Sequence, residues 1–305
     1  MFPVLLIVAV IIFSLIHLTP GDPAAVIAGE EATTEQVEEM RDRLGLDEPL
    51  HIQFFRWTAD AARLDFGDSI FLREPVTKSM LDRAQPTVLL TLYSLTLAIL
   101  IAVPAGVIAA VRRNSLVDRA LMVMAICGAA IPNFFFGIVL ILLFAVVFGW
   151  LPSGGYVDIN DDPVQHFRRM ILPSVALGFA GAGLLARMVR STMLDVLNED
   201  YVRTAFAKGL PNRRVVLLHA LRNAMIPAMT VLGISLAGLL GGAVVIETVF
   251  SLPGMGRLVV QSIQRRDYPV IQGVVLLTAV IQLVVMLLID ILYVYVDPRI
   301  RYGSD

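Results

Sequence analysis

The sequence predicts an all-α polytopic membrane protein with six transmembrane helices. Three observations carry the prediction. The 305-residue chain is 57% apolar and only 16% charged, with a mean hydropathy of +0.77. Its apolar residues are gathered into runs of spanning length rather than alternating as in a half-buried sheet. A charged island from Leu194 to Pro227 then interrupts those runs with a helical pattern of its own.

The first run, Phe2 to Leu18, is a short spanning helix at the lower limit of about 17 residues. No basic residue precedes it and no cleavage site follows, which argues against a signal peptide and leads us to expect a start a few residues upstream. Residues 19–85 form a polar segment with fourteen acids and seven bases, opening on Thr19-Pro20-Gly21-Asp22-Pro23. Within it Thr33 is placed to cap a helix with Gln36 as its reciprocal partner, and Gly45 to end that helix.

Residues 86–305 hold the remaining spans. Val88 to Val111 is entered through Pro86 as a first-turn residue and softened by Pro104. Ala120 to Phe148 is interrupted at Pro132-Asn133 and reads as one kinked helix, because two spans do not fit that length. Trp150 and Tyr156 frame a turn where the chain leaves the bilayer. Ile171 to Val189 and Ala228 to Val249 are rich in small residues, with Gly233, Ala237 and Gly241 four apart, as close helix approach in lipid requires. Gly273 to Tyr295 is the sixth span, ending at Asp297-Pro298-Arg299.

The island from Leu194 to Pro227 places Leu194, Leu197, Tyr201, Ala205 and Lys208 on one helical face. Gly209 stands where a helix end wants a left-handed residue, Leu210 supplies the folded-back apolar contact, and Pro211 prevents continuation. Asn212 is then the expected N-cap of a second helix. The island is a helix, a tight turn and a second helix, and the pattern alone fits an amphipathic loop as well as a docking device.

Orientation follows from the bases. Arg112, Arg113 and Arg119, with Arg187, Arg190, Arg203, Lys208, Arg213, Arg214 and Arg222 in and around the island, outnumber the opposing Arg168, Arg169, Arg257, Arg265 and Arg266. The island is therefore expected in the cytoplasm, with both termini, and residues 19–85 outside.

Little in the chain suggests catalysis. It has one cysteine, Cys127, assigned a packing role inside an apolar run, and four histidines too dispersed for a metal site. It contains neither a phosphate-cradling Gly-rich loop nor a Gly-x-Ser-x-Gly or His-Glu-x-x-His pattern. Asp290, about two turns from the basic end of the last span, reads as a packing or ion-pairing residue more readily than a proton relay. Glu247 reads equally as a buried carboxylate facing a cavity or as an interfacial residue.

The run Glu199-Asp200-Tyr201-Val202, Ala205, Ala207-Lys208-Gly209, then His219, Leu221-Arg222-Asn223-Ala224 and Pro227 resembles the cytoplasmic coupling signature of ABC-importer permeases of the dipeptide/oligopeptide/nickel branch. Glu247-Thr248-Val249-Phe250-Ser251-Leu252-Pro253-Gly254-Met255-Gly256 and Arg266-Asp267-Tyr268-Pro269 resemble that branch's external loop near the translocation path. The likeness runs from Pro20 to Arg301. One departure is that the Glu-Ala-Ala of the broader motif falls at Arg203-Thr204-Ala205, so no role for its Glu is carried over. Met286 likewise stands where the family often has Asn.

The resemblance implies a type I ABC importer permease fold with a periplasmic segment at 19–85 after helix 1. It implies that Asp200, Tyr201, Ala205, Lys208, Gly209, His219, Arg222, Asn223 and Pro227 serve ATPase coupling, and that Glu247, Phe250, Pro253, Gly254 and Gly256 lie near the path. It further implies a second permease subunit, two cytoplasmic ATPase subunits that bind ATP and Mg, and a periplasmic solute-binding protein, in the bacterial inner membrane. No cofactor in this chain and no nucleic-acid partner are expected. The competing class, a channel or ion-coupled secondary transporter, would show paired intramembrane carboxylates or an inverted repeat. A membrane-anchored sensor or assembly protein would account for the external segment and leave the Gly-turned helix pair without a purpose.

Overall fold

The computed structural model describes residues 2–18, 24–25 and 32–296. The turn at 19–23, residues 297–299 and the side chain of Asp290 lie outside the described residues. Among those described the architecture is helical, and an isolated antiparallel bridge between Asp68 and Pro75 is the sole extended pairing. In chain order the helices are α1 (Phe2–Leu18), α2 (Thr34–Leu44), α3 (Leu50–Ala62), α4 (Val76–Val111), α5 (Leu116–Ala130), α6 (Asn133–Val147), α7 (Pro163–Leu197), α8 (Asp200–Ala207), α9 (Asn212–Val249), α10 (Met255–Arg265) and α11 (Tyr268–Val296). The chain divides into two compact units, residues 1–85 with 254–283, and residues 86–253 with 284–305.

In the first unit, local chemistry shapes α2. Thr33 accepts from the Gln36 amide, the Gln36 side chain accepts from the Thr33 amide, and Gly45 ends the helix at φ +62°. The α10 helix caps on Gly254 and ends at Arg266, a left-handed residue that turns the chain into Asp267. The Asp267 carboxylate is buried. It accepts the Ser69 hydroxyl at 2.5 Å and the amides of Ile70 and Phe71 at 3.2 Å. Those bonds satisfy a group that is costly to bury alone, and they fix residues 68–72 against the α10–α11 corner. Val76, Met80, Met255, Leu258, Val270 and Val274 form the apolar core beneath.

The second unit is organised around α7. Asp162 caps its start by accepting from the Gln165 amide, and Pro163 takes the first turn, where a missing N–H costs nothing. In α7, 61% of the most apolar window is buried, against 22% in α9 and α11, so α7 is the central helix. Its glycines explain how. A Cβ on Gly178 would lie 2.5 Å from the Ser94 carbonyl oxygen of α4, and one on Gly183 would lie 2.3 Å from that of Ala125 in α5. The helices touch backbone to backbone, as expected where packing must hold them together in lipid.

Several expectations are corrected. The run from Ala120 to Phe148 is two helices, α5 and α6, that turn by 107° at Ile131-Pro132 rather than one kinked helix. Pro132 cannot supply the N–H that would carry a helix through, and it disfavours helical geometry in Ile131, which sits at φ −79°, ψ 126°. The last turns of α6, Ile141–Val147, are π-helical. Pro86 is not a first-turn residue, since α4 begins ten residues earlier at Val76. Cys127 is exposed on α5 rather than packed. Of the small residues in α9, a Cβ on Gly233 would lie 2.8 Å from the Ile289 side chain and one on Gly242 3.0 Å from that of Leu177, whereas Gly238 and Gly241 face open space.

By length and composition, α4, α7, α9 and α11 can each cross a membrane, and the α5–α6 pair makes a fifth crossing if counted as one broken span. Gly183→Ala is predicted to force α7 away from α5 and to destabilise by about 1–3 kcal/mol, the ordinary cost of overpacking. Gly241→Ala, which meets open space, serves as the control. Thermal inactivation of the detergent-solubilised protein should separate the two.

Candidate functional site

The charged island is built from three pieces. The α7 helix ends at Leu197, and Asn198-Glu199 break the chain before α8, so the single helix expected from Leu194 to Lys208 is two. Asp200 opens α8, where a carboxylate opposes the positive end of the helix dipole. The C-terminus of α8 is a Schellman motif. Gly209 has φ +78° and donates to the Phe206 carbonyl at 2.9 Å, while the Leu210 amide reaches Ala205 O at 3.3 Å. Leu210 then packs on Val202, Ala205 and Val215, with Val196 and Leu197 alongside. Pro211, not Asn212, occupies the N-cap position, and Asn212 is the first residue of α9. Proline has no side-chain acceptor, so that end has no side-chain cap.

After Arg214 the backbone is π-helical from Val215 to Ala220 and returns to α-helix at Leu221. Pro227 lies inside α9. Its ring nitrogen cannot donate to the carbonyl four residues back, that of Asn223. The island thus joins the long α9 helix directly, through two successive irregularities of the kind that localise bending.

The expected coupling residues divide by placement. Tyr201, His219 and Asn223 come together: Asn223 Nδ2 donates to Tyr201 Oη at 2.7 Å, and Tyr201 Oη reaches the His219 carbonyl at 3.5 Å. These bonds tie α8 to α9. Asp200, Lys208, Gly209 and Arg222 are exposed beside them, and Ala205 is buried in the small core under the turn. The Asp200–Arg203 pair at 3.5 Å is exposed on both sides and contributes little. A Cβ on Gly209 would meet nothing within 4 Å, so the constraint there is the dihedral angle alone.

The second expected cluster is split. Glu247 is fully buried and accepts the Thr87 hydroxyl at 2.6 Å. This favours the buried-carboxylate reading over the interfacial one. Phe250 is also fully buried, with its carbonyl accepting from Gly155 at 2.9 Å and its ring against Gly137. Leu252 donates to Glu247 O at 2.8 Å, closing the loop through Ser251 at φ +55°. Pro253 is exposed. Gly254 and Gly256 belong to the first unit, where they start α10.

Sequence reasoning missed two polar groups near these loops. Asp118 is buried and forms a two-pronged ion pair with Arg190, at 2.6 Å to Nε and 2.7 Å to Nη2, and also accepts the Asn114 amide at 2.9 Å. The pair bolts the start of α5 to α7 and is of the strong, planar kind. The available signal was Ser115-x-x-Asp118, a helix-start pattern, and Ser115 does accept from the Asp118 amide at 3.2 Å. His166 is fully buried. Its Nδ1 lies 2.7 Å from the Val157 carbonyl and its Nε2 3.2 Å from Tyr93 Oη, within a ring of Tyr93, Tyr156 and Phe167.

With that geometry in place, comparison with known proteins is decisive. Residues 102–302 match the profile of the family described as "Binding-protein-dependent transport system inner membrane component", and residues 1–91 match its N-terminal companion, "Binding-prot-dependent transport system membrane comp, N-term". The chain belongs to this family. It is the membrane permease component of an ATP-driven importer. The permease is 47% identical over 300 residues to the glutathione transport system permease protein GsiC of Salmonella paratyphi A, covering 98% of this chain and 95% of that one. It is 45% identical over 299 residues to the probable peptide ABC transporter permease protein y4tP of Sinorhizobium fredii, covering 98% and 96%. Among solved structures, an inward-facing MetNI methionine ABC transporter shares the fold with a TM-score of 0.61 at 19% identity, covering 72% of this chain and 96% of that one.

Two measurements test the permease's polar joints. Arg190→Ala strands the Asp118 carboxylate, whose side chain is only 4% exposed, whereas Asp118→Ala strands a guanidinium that is 25% exposed and can reach water. Arg190→Ala should therefore lower the thermal midpoint more, by the equivalent of about 3–5 kcal/mol for a truly buried ion. Tyr201→Phe should loosen α8 by about 0.5–1.5 kcal/mol, read as faster hydrogen exchange at residues 200–207.

Proposed function

We propose that this permease forms the translocation path of a peptide-class importer, working with a second, homologous permease subunit, two cytoplasmic ATPases and a periplasmic solute-binding protein. Six spans are assigned: α1, α4, the bent α5–α6 pair, α7, α9 and α11. Residues 1–18 make the first transmembrane helix, 19–85 the periplasmic segment and 86–305 the transporter domain. Both termini and the island at 194–227 lie in the cytoplasm, on the weight of their arginines. The peptide class rests on relatives whose names state glutathione or peptide transport.

The observation that carries the mechanism is the Gly209-turned pair α8–α9, exposed at its turn and continuous with the α9 span. Such a pair can be pushed as a lever. ATP and Mg belong to the partner ATPases, and hydrolysis is theirs. Closing the ATPase dimer shifts the island, and α9 carries the shift into the bundle, changing which side the path faces, a two-state change that needs no catalytic group in this chain. Asp200, Tyr201, Lys208, His219, Arg222 and Asn223 serve this contact at the surface, Ala205 and Pro227 from within. Glu247, Phe250 and Pro253 shape the outer end of the path, and Gly254 and Gly256 start the helix that follows it.

The test is a reconstituted complex carrying Gly209→Val. A β-branched residue at φ +78° costs on the order of 1–2 kcal/mol or more, and nothing else nearby is disturbed. Membrane insertion should be unchanged, while solute-stimulated ATP hydrolysis falls severalfold. Normal coupling in that variant, or a gently solubilised complex containing no ATPase subunit, would overturn the reading.

A further inference from the structure

The first unit contains a cavity of 770 Å³, bounded by the last turns of α1, by α3, by the 65–70 loop and by the start of α11. Nothing in the coupling mechanism uses it. Its size is that of a small-molecule pocket. On one side its wall is aromatic: Phe13 and Trp57 stand with ring centroids 5.9 Å apart. The rim carries charges of both signs, and two of them are already engaged. Arg56 is held by Glu48 at 2.7 Å, and Asp65 accepts from the Gly67 amide at 3.0 Å.

Four groups are left: Asp60, Asp68, Arg73 and His17. Asp60, Asp68 and Arg73 line the cavity and form no ion pair among the described residues. His17 also lines it, and its Nε2 is buried without a hydrogen-bond partner among the described residues. Buried ring nitrogens normally find a partner, so an orphan on a cavity wall points to a group supplied from outside. Arg73 is set in place by its backbone, at φ +54° with its amide on the Ser69 carbonyl at 3.0 Å.

From this arrangement we infer that the cavity binds a small zwitterionic solute of short-peptide size, with its ammonium on Asp60, its carboxylate on the Arg73 guanidinium, and its apolar part against Phe13 and Trp57. His17 Nε2 meets a polar atom in between. Arginine suits a carboxylate through paired parallel hydrogen bonds. A bare anion fits poorly, because Asp60, Asp65 and Asp68 all stand on the rim. The site rests on the importer reading above and adds a place on the permease itself where solute is held.

The experiment uses the whole transporter complex in phosphatidylcholine nanodiscs, without its solute-binding protein, and radiolabelled trialanine as the probe. Saturable binding is expected. N-acetylation or C-terminal amidation of the peptide should each weaken it about tenfold, the value of one charge-assisted hydrogen bond. Arg73→Gln should lower affinity for trialanine by a similar factor yet leave the amidated peptide unaffected. Asp60→Asn should do the same with respect to the acetylated peptide. The capped peptides on the unaltered complex keep the test decisive should either variant assemble poorly. Equal binding of capped and uncapped peptides, or no saturable binding, overturns the site. Competition by phosphatidylethanolamine added to the nanodiscs also overturns it, in favour of a lipid headgroup. Peptide uptake by the complete system, measured in parallel, separates the two readings: uptake without nanodisc binding removes this site alone, and absence of both removes the peptide-importer reading as well.

Discussion

The close approach of α7 to its neighbours is the constraint on which the second unit depends. Water does not squeeze helices together inside a bilayer, so the attraction must come from contact. Gly178 and Gly183 make contact with the Ser94 and Ala125 carbonyls at distances no side chain would permit. Gly106 does the same from the other side, since a Cβ there would lie 2.7 Å from Val189 Cβ. With α4 and α5 held at that spacing, α7 becomes a rigid spine running from Pro163 to the edge of the charged island at Leu197. The Asp118–Arg190 pair then sets the register of α5 along it.

Against that spine, α9 is irregular over its first turns. It starts at a proline that cannot cap it, passes through a π-helical stretch, and contains Pro227, which cannot donate to the carbonyl four residues back. Only 22% of its most apolar window is buried within the chain, and Gly238 and Gly241 face open space. The turn fixed by Gly209 and the irregular entry to α9 stand next to each other, and in the lever proposed above a push at the turn would be taken up in the helix that follows. The loop at the other end of α9 has the opposite character. Glu247, Phe250 and Leu252 are fully buried and tied to Thr87, Gly155 and one another, so that end of α9 is an anchor.

The parts of this architecture that depend on a few adjacent residues were legible. The Thr33–Gln36 capping box, the left-handed Gly45 and the Schellman turn at Gly209 follow from dihedral preference and short-range hydrogen bonding, and each stands where those rules put it. Helix boundaries were less legible. Pro86 reads as a start, yet α4 runs straight through it, because upstream packing of Val76 and Met80 on α10 and α11 repays the lost hydrogen bond. The break at Asn198-Glu199 and the uncapped start at Pro211 were also missed. Both are settled by the small core of Val202, Ala205, Val215 and Leu210 and not by the local pattern.

By itself the sequence determined the class of this protein: runs of apolar residues long enough to span, a charged island turned by Gly209, and a motif set that identifies an importer permease. Those properties are local or compositional, and they survive in one dimension. Only the tertiary structure decided which polar groups meet. Asp118 and Arg190 lie 72 residues apart, Thr87 and Glu247 160, and Ser69 and Asp267 198. No spacing rule reaches across such separations. Partners of that kind are chosen by the cost of leaving a buried charge unmet, and that cost exists only once the helices have packed.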